Sequence, residues 1–446
     1  MSILFLLPWI VILYFSSKQK GVFLYYFVLF QFIFIGVGLA VFPFLGFDYL
    51  SVTFSSFNFC DLSENDFNFA SLMVLSGVTS LVFFYTLLSQ SIFRTKKKEY
   101  YPPESLCQQS EVRKCVIFLF MLIAILVCIP FILENYHAFL SIVLAKDIGG
   151  LANSVAFRRD ATTGYLRILF IYNMLPAITV ALFLFCIKKK RYYLWVVFIF
   201  FFLLTSSTLL LTFQKRPFLI FLGTLGLAWC LSDINWRQVK KIKIRYLITK
   251  LKWIIVTLFA ILFIFYFFYT GLRFSRSPFE ILSNITSIIF SRVFGRLSIP
   301  AAMYVDYFPQ HHPFYGLENV GLLTRLFELD IFLDSKIVFS HYTAVPVDGS
   351  LAASVFIDAY GQGGAFFPII YGAILAIIIL LLEITYVRSG FGVKKTFAFI
   401  ASFIFLYYLS QASLFRSLLG YGGIFYFFAW FAFFKTHHSR KTGLDL

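Results

Sequence analysis

The chain has 446 residues, of which 60% are hydrophobic and only 13% are charged, whereas soluble domains carry roughly 25% charged residues. This composition excludes a soluble globular protein, and at about 20 apolar residues per spanning helix the chain could cross a membrane ten or more times. The net charge of +17 would suggest a nucleic-acid partner for a soluble protein, so its distribution along the chain decides what it means.

Apolar runs separated by charged segments predict an all-α polytopic integral membrane protein, with one transmembrane domain over residues 1–446 and about eleven spans. The first run has no Lys or Arg before it and two lysines after it, which favours a retained span with the N-terminus outside. The predicted spans are 3–16, 21–46, 68–93, 115–133, 166–187, 192–213, 217–232, 253–271, 363–386, 397–414 and 421–434.

The loops on the two sides of these spans differ in charge. Basic runs such as 94–98, 188–191 and 237–252 all fall on one side, which carries 25 Lys and Arg residues against 6 Asp and Glu residues. The positive-inside rule makes this side cytoplasmic and places the C-terminus there. The basic balance is therefore a signal of topology, and it excludes a nucleic-acid surface.

Three predicted outer loops are longer than turns, namely 47–67, 134–165 and 271–362. The longest is the best candidate for function, because a segment of this length between spans is uncommon unless it is functional or folds on its own. Within it, 279–297 has apolar residues at helical spacing, which predicts an interfacial helix along the membrane surface. We expect Pro300, Pro309 and Pro313 to break the regularity that follows.

The outer positive charges are mostly arginine, whereas lysine dominates inside. Topology requires only charge, but a planar fork that binds phosphate oxygens in pairs must be arginine. Pairing with outer acids or with lipid phosphates is the alternative for each arginine, and interfacial anchoring is an equal alternative for Arg273 and Arg276. The predicted phosphate-binding set is Arg216, Arg273, Arg276, Arg292, Arg296 and Arg416.

A general base is expected among the acids and histidines of the longest outer loop. His341, Asp348 and Asp358 lie nearest to the next span, where burial can tune a pKa. No outer His, Cys or Asp cluster has the spacing of metal ligands, and the P-loop, the serine elbow and the dinucleotide fingerprint are absent from the sequence. We therefore expect no metal and no cofactor.

Several loose motifs occur together in the C-terminal half of the chain, and in combination they resemble the O-antigen polymerase family, the Wzy-type repeat-unit polymerases of bacterial envelope glycans. The resemblance implies a GT-C-like architecture and a multi-pass protein of the bacterial inner membrane with a periplasmic N-terminus. It depends on the QKRP turn at 214–217, the run FSRVFGRLSIP at 290–300, Phe314-Tyr315-Gly316, the stretch GSLAASVFIDAYGQGG at 349–364 and the run 409–422 with Arg416.

The resemblance implies a metal-independent glycosyltransferase. Such enzymes transfer a growing glycan from one undecaprenyl pyrophosphate carrier to the end sugar of another lipid-linked repeat unit, so donor, acceptor and membrane lipids are the expected partners. The resemblance also implies a further partner, a membrane protein that regulates the length of the glycan chain. The arginines would then stabilise the leaving pyrophosphate, while Tyr315 and Tyr360 would stack on sugars.

Two other functions stay open at this stage. A ligase that moves finished glycan onto lipid A core, or another lipid-linked-sugar glycosyltransferase, would share the pyrophosphate donor and the large outer loop. A lipid-glycan flippase or transporter belongs to a different class and normally shows related halves, broken helices and charges in mid-span. Here nearly all charges lie at the ends of the predicted spans.

Overall fold

The structure, a computed structural model, describes residues 2–19, 21–46, 62–94, 114–144, 169–212, 215–232, 290–320, 332–343, 351–389, 392–420 and 423–433, with a few isolated positions such as 167 and 256. Every regular element in these residues is helical. The all-α fold class predicted from the sequence is confirmed to that extent, and the GT-C-like architecture stays a prediction.

The helices follow the apolar runs of the sequence. Short 3₁₀ or π-helical segments at Ser2–Phe5, Phe32–Gly36, Phe170–Met174, Ser291–Gly295 and Arg416–Gly420 adjoin them. In chain order the α-helices are α1 (Leu6–Lys18), α2 (Phe23–Gln31), α3 (Val37–Leu45), α4 (Glu64–Arg94), α5 (Lys114–Leu144), α6 (Leu175–Lys189), α7 (Tyr192–Leu211), α8 (Lys215–Ser232), α9 (Arg296–Gln310), α10 (Asp334–Tyr342), α11 (Val355–Gly363), α12 (Phe367–Arg388), α13 (Val393–Leu409) and α14 (Gly423–Phe433).

Six helices of the described residues are long and apolar enough to cross a membrane, so the chain is a multi-pass membrane protein. The helices α1 and α8 are apolar but shorter, and the predicted span 253–271 lies outside the described residues apart from isolated positions. The count of eleven spans stays a prediction. The six candidate spans are Phe23–Leu45, Glu64–Ser91, Ile117–His137, Phe170–Lys189, Tyr192–Leu211 and Phe367–Arg388.

The chain divides into two compact units, and the first comprises Met1–Lys97, Leu282–Ile384 and Phe405–Leu418. In this unit α4 packs against α3, α9 and α11, and α10 packs against α9. Helices α4 and α12 meet through small residues, because a Cβ atom on Gly372 would lie only 2.4 Å from the carbonyl oxygen of Gly77. Such small-residue contacts let two membrane helices approach backbone to backbone.

The second unit comprises Lys98–Ile281, Thr385–Ile404 and Leu419–Leu446. In it α6 packs against α7, α8 and α14, and α5 packs against α7. The buried hydroxyls of Thr179 on α6 and Thr205 on α7 lie 2.9 Å apart. A hydroxyl pair of this kind joins two apolar helices where side chains otherwise offer only van der Waals contact.

The predicted interfacial helix 279–297 differs from the structure at its end. Instead of ending near Leu297, the helical path runs through the π-turn Ser291–Gly295 into α9, in which Leu297 to Phe308 are buried. The expectation that Pro300 breaks the helix was therefore wrong, since α9 continues through it. A break does occur before Pro309, because the backbone of Phe308 is non-helical, and Pro313 follows the end of α9.

Candidate active site

A fully buried aspartate, Asp334, lies at the start of α10 in the first unit. The hydroxyl of Tyr304 on α9 donates a hydrogen bond to its Oδ2 atom at 2.5 Å. The Arg416 guanidinium donates from Nη2 to the Oδ1 atom at 2.7 Å and is itself about one-third exposed, at 34%. Burial of a carboxylate is tolerated only with such partners, so Asp334 and Arg416 form a pair whose accessible member is the arginine.

A second buried acid, Asp358, lies in the first turn of α11 and is only 2% exposed. Its Oδ1 atom accepts hydrogen bonds from the Tyr315 hydroxyl at 3.1 Å and from Asn319 Nδ2 at 2.9 Å. Its Oδ2 atom accepts from Gln362 Nε2 at 3.0 Å, one helical turn further along α11. Three neutral donors therefore surround this carboxyl group, and no cation contacts it directly in the described residues.

The amide of Gln362 is held by a side chain from the next helix. The Tyr371 hydroxyl, near the start of the candidate span α12, donates to Gln362 Oε1 at 2.6 Å. A longer hydrogen bond of 3.4 Å joins Gln362 Nε2 to Asn319 Oδ1. The polar network thus extends from the loop after α9, through α11, to a membrane-spanning helix.

Seven of the side chains described above form a group that we call the acid cluster. The electrostatics of this group favour a proton on Asp358. Burial, and then the negative charge of Asp334, raise the pKa of Asp358 to about 7, while Arg416 and the hydrogen bonds from Tyr315 and Asn319 act in the opposite direction. The pKa values of the Tyr304 and Tyr315 hydroxyls are raised well above 10, mainly by burial. The members of the cluster are Tyr304, Tyr315, Asn319, Asp334, Asp358, Gln362 and Arg416.

The local sequence around Asp358 explains how the cluster is built. Ser354 caps α11 by accepting the Ile357 amide, and the backbone amides of Tyr315 and Gly316 donate to the carbonyls of Gly361 and Gln362 at 3.1 and 3.0 Å. Gly361 is required because a Cβ atom there would lie 2.7 Å from the Tyr315 ring. The stretch 349–364, which carries the family resemblance, therefore supplies a cap, an acid, a close contact and an amide.

A separate group of side chains lies further along α9 and α10. The Tyr342 hydroxyl donates to Asp306 and, at 3.3 Å, to the Met303 carbonyl. His311 Nε2 is 3.9 Å from Asp306 Oδ2, and the rings of His311 and His341 lie 4.5 Å apart. His341 is exposed, and it makes no contact with the acid cluster among the described residues. Its role as a base stays a prediction.

Of the predicted arginines, the structure brings Arg416 into the acid cluster. Arg296 is exposed at the start of α9, and Arg216 is half-buried at the start of α8 in the second unit. The backbone of Arg292 lies in the π-turn Ser291–Gly295, whereas its side chain is outside the described residues. Arg273, Arg276 and the candidate base Asp348 also lie outside the described residues.

The two predicted sugar-stacking residues are buried by protein. Tyr315 packs against Phe308 and Phe332, and its hydroxyl binds Asp358. The Tyr360 hydroxyl donates to the Phe308 carbonyl at 2.8 Å, and its ring is only 4% exposed. Neither ring offers a free face to a sugar in this structure, and their contacts instead shape the surroundings of Asp358.

Sequence reasoning singled out Asp358 as a base, Arg416 for phosphate and Tyr315 for sugar stacking. It did not single out Asn319, Asp334 or Gln362, and it considered Tyr304 only as one of several aromatic residues that could stack on sugars. Asp334 was one of many outer acids, and nothing in its spacing distinguished it. Gln362 carried a usable signal, because a residue four positions after an acid shares its helical face. The remaining partners come from chain segments that meet only in the folded protein.

The described residues contain no group of three His, Cys, Asp or Glu side chains that could hold a metal ion. The cluster contains Asp358, whose pKa is raised to about 7, and Arg416, which is paired with Asp334 and is accessible at the edge of the cluster. An acid of this pKa can accept a proton near neutral pH, and an accessible arginine can stabilise negative charge on an oxyanion. No protein-family model, curated protein or solved structure matches the chain.

Proposed function

We propose that the chain is a polymerase of undecaprenyl-pyrophosphate-linked oligosaccharide repeat units at the periplasmic face of the bacterial inner membrane, making O-antigen or a related surface polysaccharide. The observation that supports this most directly is the acid cluster, in which the pKa of Asp358 is raised to about 7, the charge of Arg416 acts on this acid, and Gln362 links it to the Tyr371 hydroxyl on the candidate span α12. The motifs at 349–364 and around Arg416 that resemble the family supply residues of this same cluster.

The reaction needs a base and a site for a leaving pyrophosphate. An acceptor sugar hydroxyl attacks the anomeric carbon of the donor glycan, the new bond forms to that hydroxyl oxygen, and the bond from the anomeric carbon to the pyrophosphate oxygen breaks. On this proposal the carboxylate of Asp358 takes the hydroxyl proton. Arg416 donates hydrogen bonds to the departing pyrophosphate, whose negative charge grows during the step.

The division of roles between the two acids follows from their partners. Asp334 is paired with Arg416 and receives a hydrogen bond from Tyr304, so it is suited to orienting the guanidinium. Asp358 has only neutral donors in direct contact, so it is the acid that can gain and lose a proton near pH 7. We therefore assign the base role to Asp358, with Asp334 as a positioning residue for Arg416.

The test is glycan gel profiling of a deletion strain complemented with the wild type, Arg416→Lys or Asp358→Asn. Polymerase function predicts that the ladder collapses to a single-repeat band in the deletion strain and is not restored by either variant. Lysine keeps the charge but loses the planar fork. The exposed residues Lys336 and Glu318 provide matched controls, and Lys336→Ala and Glu318→Gln should restore the full ladder.

The same experiment separates the alternatives. Finished polymer that accumulates without transfer to lipid A core would indicate a ligase, and repeats trapped on the cytoplasmic side would indicate a flippase. An unchanged ladder in the deletion strain would refute the polymerase proposal for that glycan. A purified protein that extends a synthetic lipid-linked repeat would settle the reaction directly.

A further inference from the structure

The hydrogen bonds around Asp358 have a direction that the acid alone does not determine. A carboxamide side chain has a donor end and an acceptor end, and rotating it by half a turn exchanges them. Gln362 presents its donor end to Asp358 Oδ2 at 3.0 Å and its acceptor end to the Tyr371 hydroxyl at 2.6 Å. A phenol has a single proton to donate, and here that proton is directed at the amide oxygen.

The orientation of Gln362 is therefore linked to the proton on Asp358. If the amide were reversed, its oxygen would face Asp358 Oδ2, and two acceptors would oppose each other unless the acid carried a proton. Asn319 adds to this order, since its Nδ2 atom donates to Asp358 at 2.9 Å while its oxygen accepts from Gln362 at 3.4 Å. Both amides thus present donors to the acid, an arrangement that stabilises its ionised form.

We propose that Gln362 and Asn319 are positioning residues for the base Asp358, and that Tyr371 on the membrane helix α12 fixes the orientation of the Gln362 amide. The two amides hold the carboxylate in one orientation and offset part of the cost of burying its charge. Tyr371 acts only through Gln362, since its hydroxyl reaches the amide oxygen and not the acid. The role of these residues in catalysis rests on the function proposed above, whereas their effect on the acid does not.

The groups facing Asp358 come from several elements. Asp334 on α10 raises its pKa, whereas Arg416 and the hydrogen bonds from Tyr315 and Asn319 lower it. Burial and the negative charge of Asp66 on α4 raise the pKa of Tyr360, which lies on α11 like Asp358. Burial and the negative charges of Asp334 and Asp358 raise the pKa of Tyr304 on α9. The Gln362 and Tyr371 substitutions below leave all of these charges in place, so a change in titration reports the loss of the amide orientation.

The decisive variant is Gln362→Met, which is similar in length and has no donor. It should shift the titration of Asp358 upward by about one pH unit, which means a roughly tenfold loss of rate below the pKa and recovery at pH 9. Tyr371→Phe should shift it less and in the same direction. The double variant should shift it no further than Gln362→Met alone, because Tyr371 acts through the amide.

Titration is followed in the purified full-length protein by the infrared carbonyl band of protonated Asp358, assigned by its absence in Asp358→Asn. Gln31→Met is the matched control, since Gln31 is a buried glutamine of the same unit whose amide atoms make no hydrogen bond to the described residues. This control should titrate as the wild type does. If Gln362→Met does not fold, Tyr371→Phe and Asn319→Leu carry the same test.

The outcomes separate the two proposals. An unshifted band in folded Gln362→Met refutes the positioning role, and so does an activity that is lost equally at every pH with no shift in titration. If the infrared band shifts in Gln362→Met and the wild-type protein transfers no glycan, the positioning role is supported and the proposed function is refuted. Shifts of the band and of the pH-rate profile by the same amount support both.

Discussion

Two of the regions in which the first unit buries acids have different partners. At one, Glu383 near the end of α12 is 3% exposed and accepts the backbone amide of Phe23 at 2.5 Å, where α2 begins. At the other, the hydrogen-bond partners of Asp334 and Asp358 are one arginine together with several hydroxyls and amides. The helix α12 contributes to both regions, with Tyr371 near its start and Glu383 near its end.

The difference shows that burial alone does not indicate function. Glu383 faces the start of a helix, where backbone amides lack partners and favour a negative charge. It is packed so tightly that a Cβ atom on Gly21 would lie 2.7 Å from its Oε1 atom. The acid cluster instead places two carboxyl groups near a single cation, so one of them is left to titrate. We interpret Glu383 as an acid that stabilises the fold and the acid cluster as the group that takes part in the reaction.

The largest effect is expected when the ion pair of the acid cluster is broken. Arg416→Met leaves Asp334 buried without its cation, and because the arginine is one-third exposed we place the loss at the lower end of the range for buried pairs, about 3 kcal/mol. Thermal unfolding in detergent at pH 8 measures it, with Lys336→Met as control. A loss no larger than that of Lys336→Met would contradict the contribution of this ion pair.

The pH dependence of stability sharpens the comparison next. The folded state raises the pKa of Asp358 from 3.8 to about 7, so folded Asp358 keeps a proton that the unfolded chain releases. The free energy of unfolding should therefore fall as the pH rises from about 4 to about 7. Asp358→Asn should remove this slope, because an amide cannot ionise. It should stabilise the protein at pH 8 by about 2 kcal/mol, a gain that is limited because the new amide N–H faces a neighbouring donor.

A packing change tests the acid cluster without altering any charge. Gly361→Ala introduces a methyl group 2.7 Å from the Tyr315 ring, which is held between Phe308 and Phe332, so we expect a loss of about 1 to 2 kcal/mol. The displaced hydroxyl should also weaken its hydrogen bond to Asp358 and move the pH-rate profile upward. A stable Gly361→Ala protein with an unchanged profile would mean that the Tyr315 hydroxyl does not act on the acid.

The structural acid should respond differently. Glu383→Gln keeps the shape but replaces a charge-assisted hydrogen bond by a neutral one, so we expect a loss of about 1 kcal/mol. The transfer rate per folded molecule and its pH profile should stay as in the wild type. A shifted profile in Glu383→Gln would contradict the division between structural and chemical acids.

The smallest effect is expected at an exposed ion pair of the second unit. Arg167 and Glu134 are joined at 2.6 Å, with side chains 35% and 53% exposed. Because solvent screens such pairs, Arg167→Gln should cost less than about 0.5 kcal/mol, and salt should reduce even that. A larger loss in thermal unfolding would mean that exposure is a poor guide to the strength of ion pairs in this protein.

The sequence predicted the parts of this fold that depend on local pattern. The apolar runs within the described residues form helices, and the stretch 349–364 contains the helix Val355–Gly363 that carries Asp358. The partners of Asp334 could not be predicted, because Tyr304 and Arg416 lie 30 and 82 residues away along the chain and meet it only through tertiary packing. Pro300 misled the prediction because proline is a general signal for the end of a helix, whereas this proline is buried inside α9 by tertiary packing.

The four π-turns among the described residues, at Phe32–Gly36, Phe170–Met174, Ser291–Gly295 and Arg416–Gly420, have a consequence for the length of the chain. Within a regular α-helix, deleting one residue rotates every later side chain by about 100° and turns the buried face outward. A π-turn already holds one residue more than an α-turn, so it can lose that residue and close into an α-turn. Related chains can therefore gain or lose single residues at these four places while their helices keep the same neighbours.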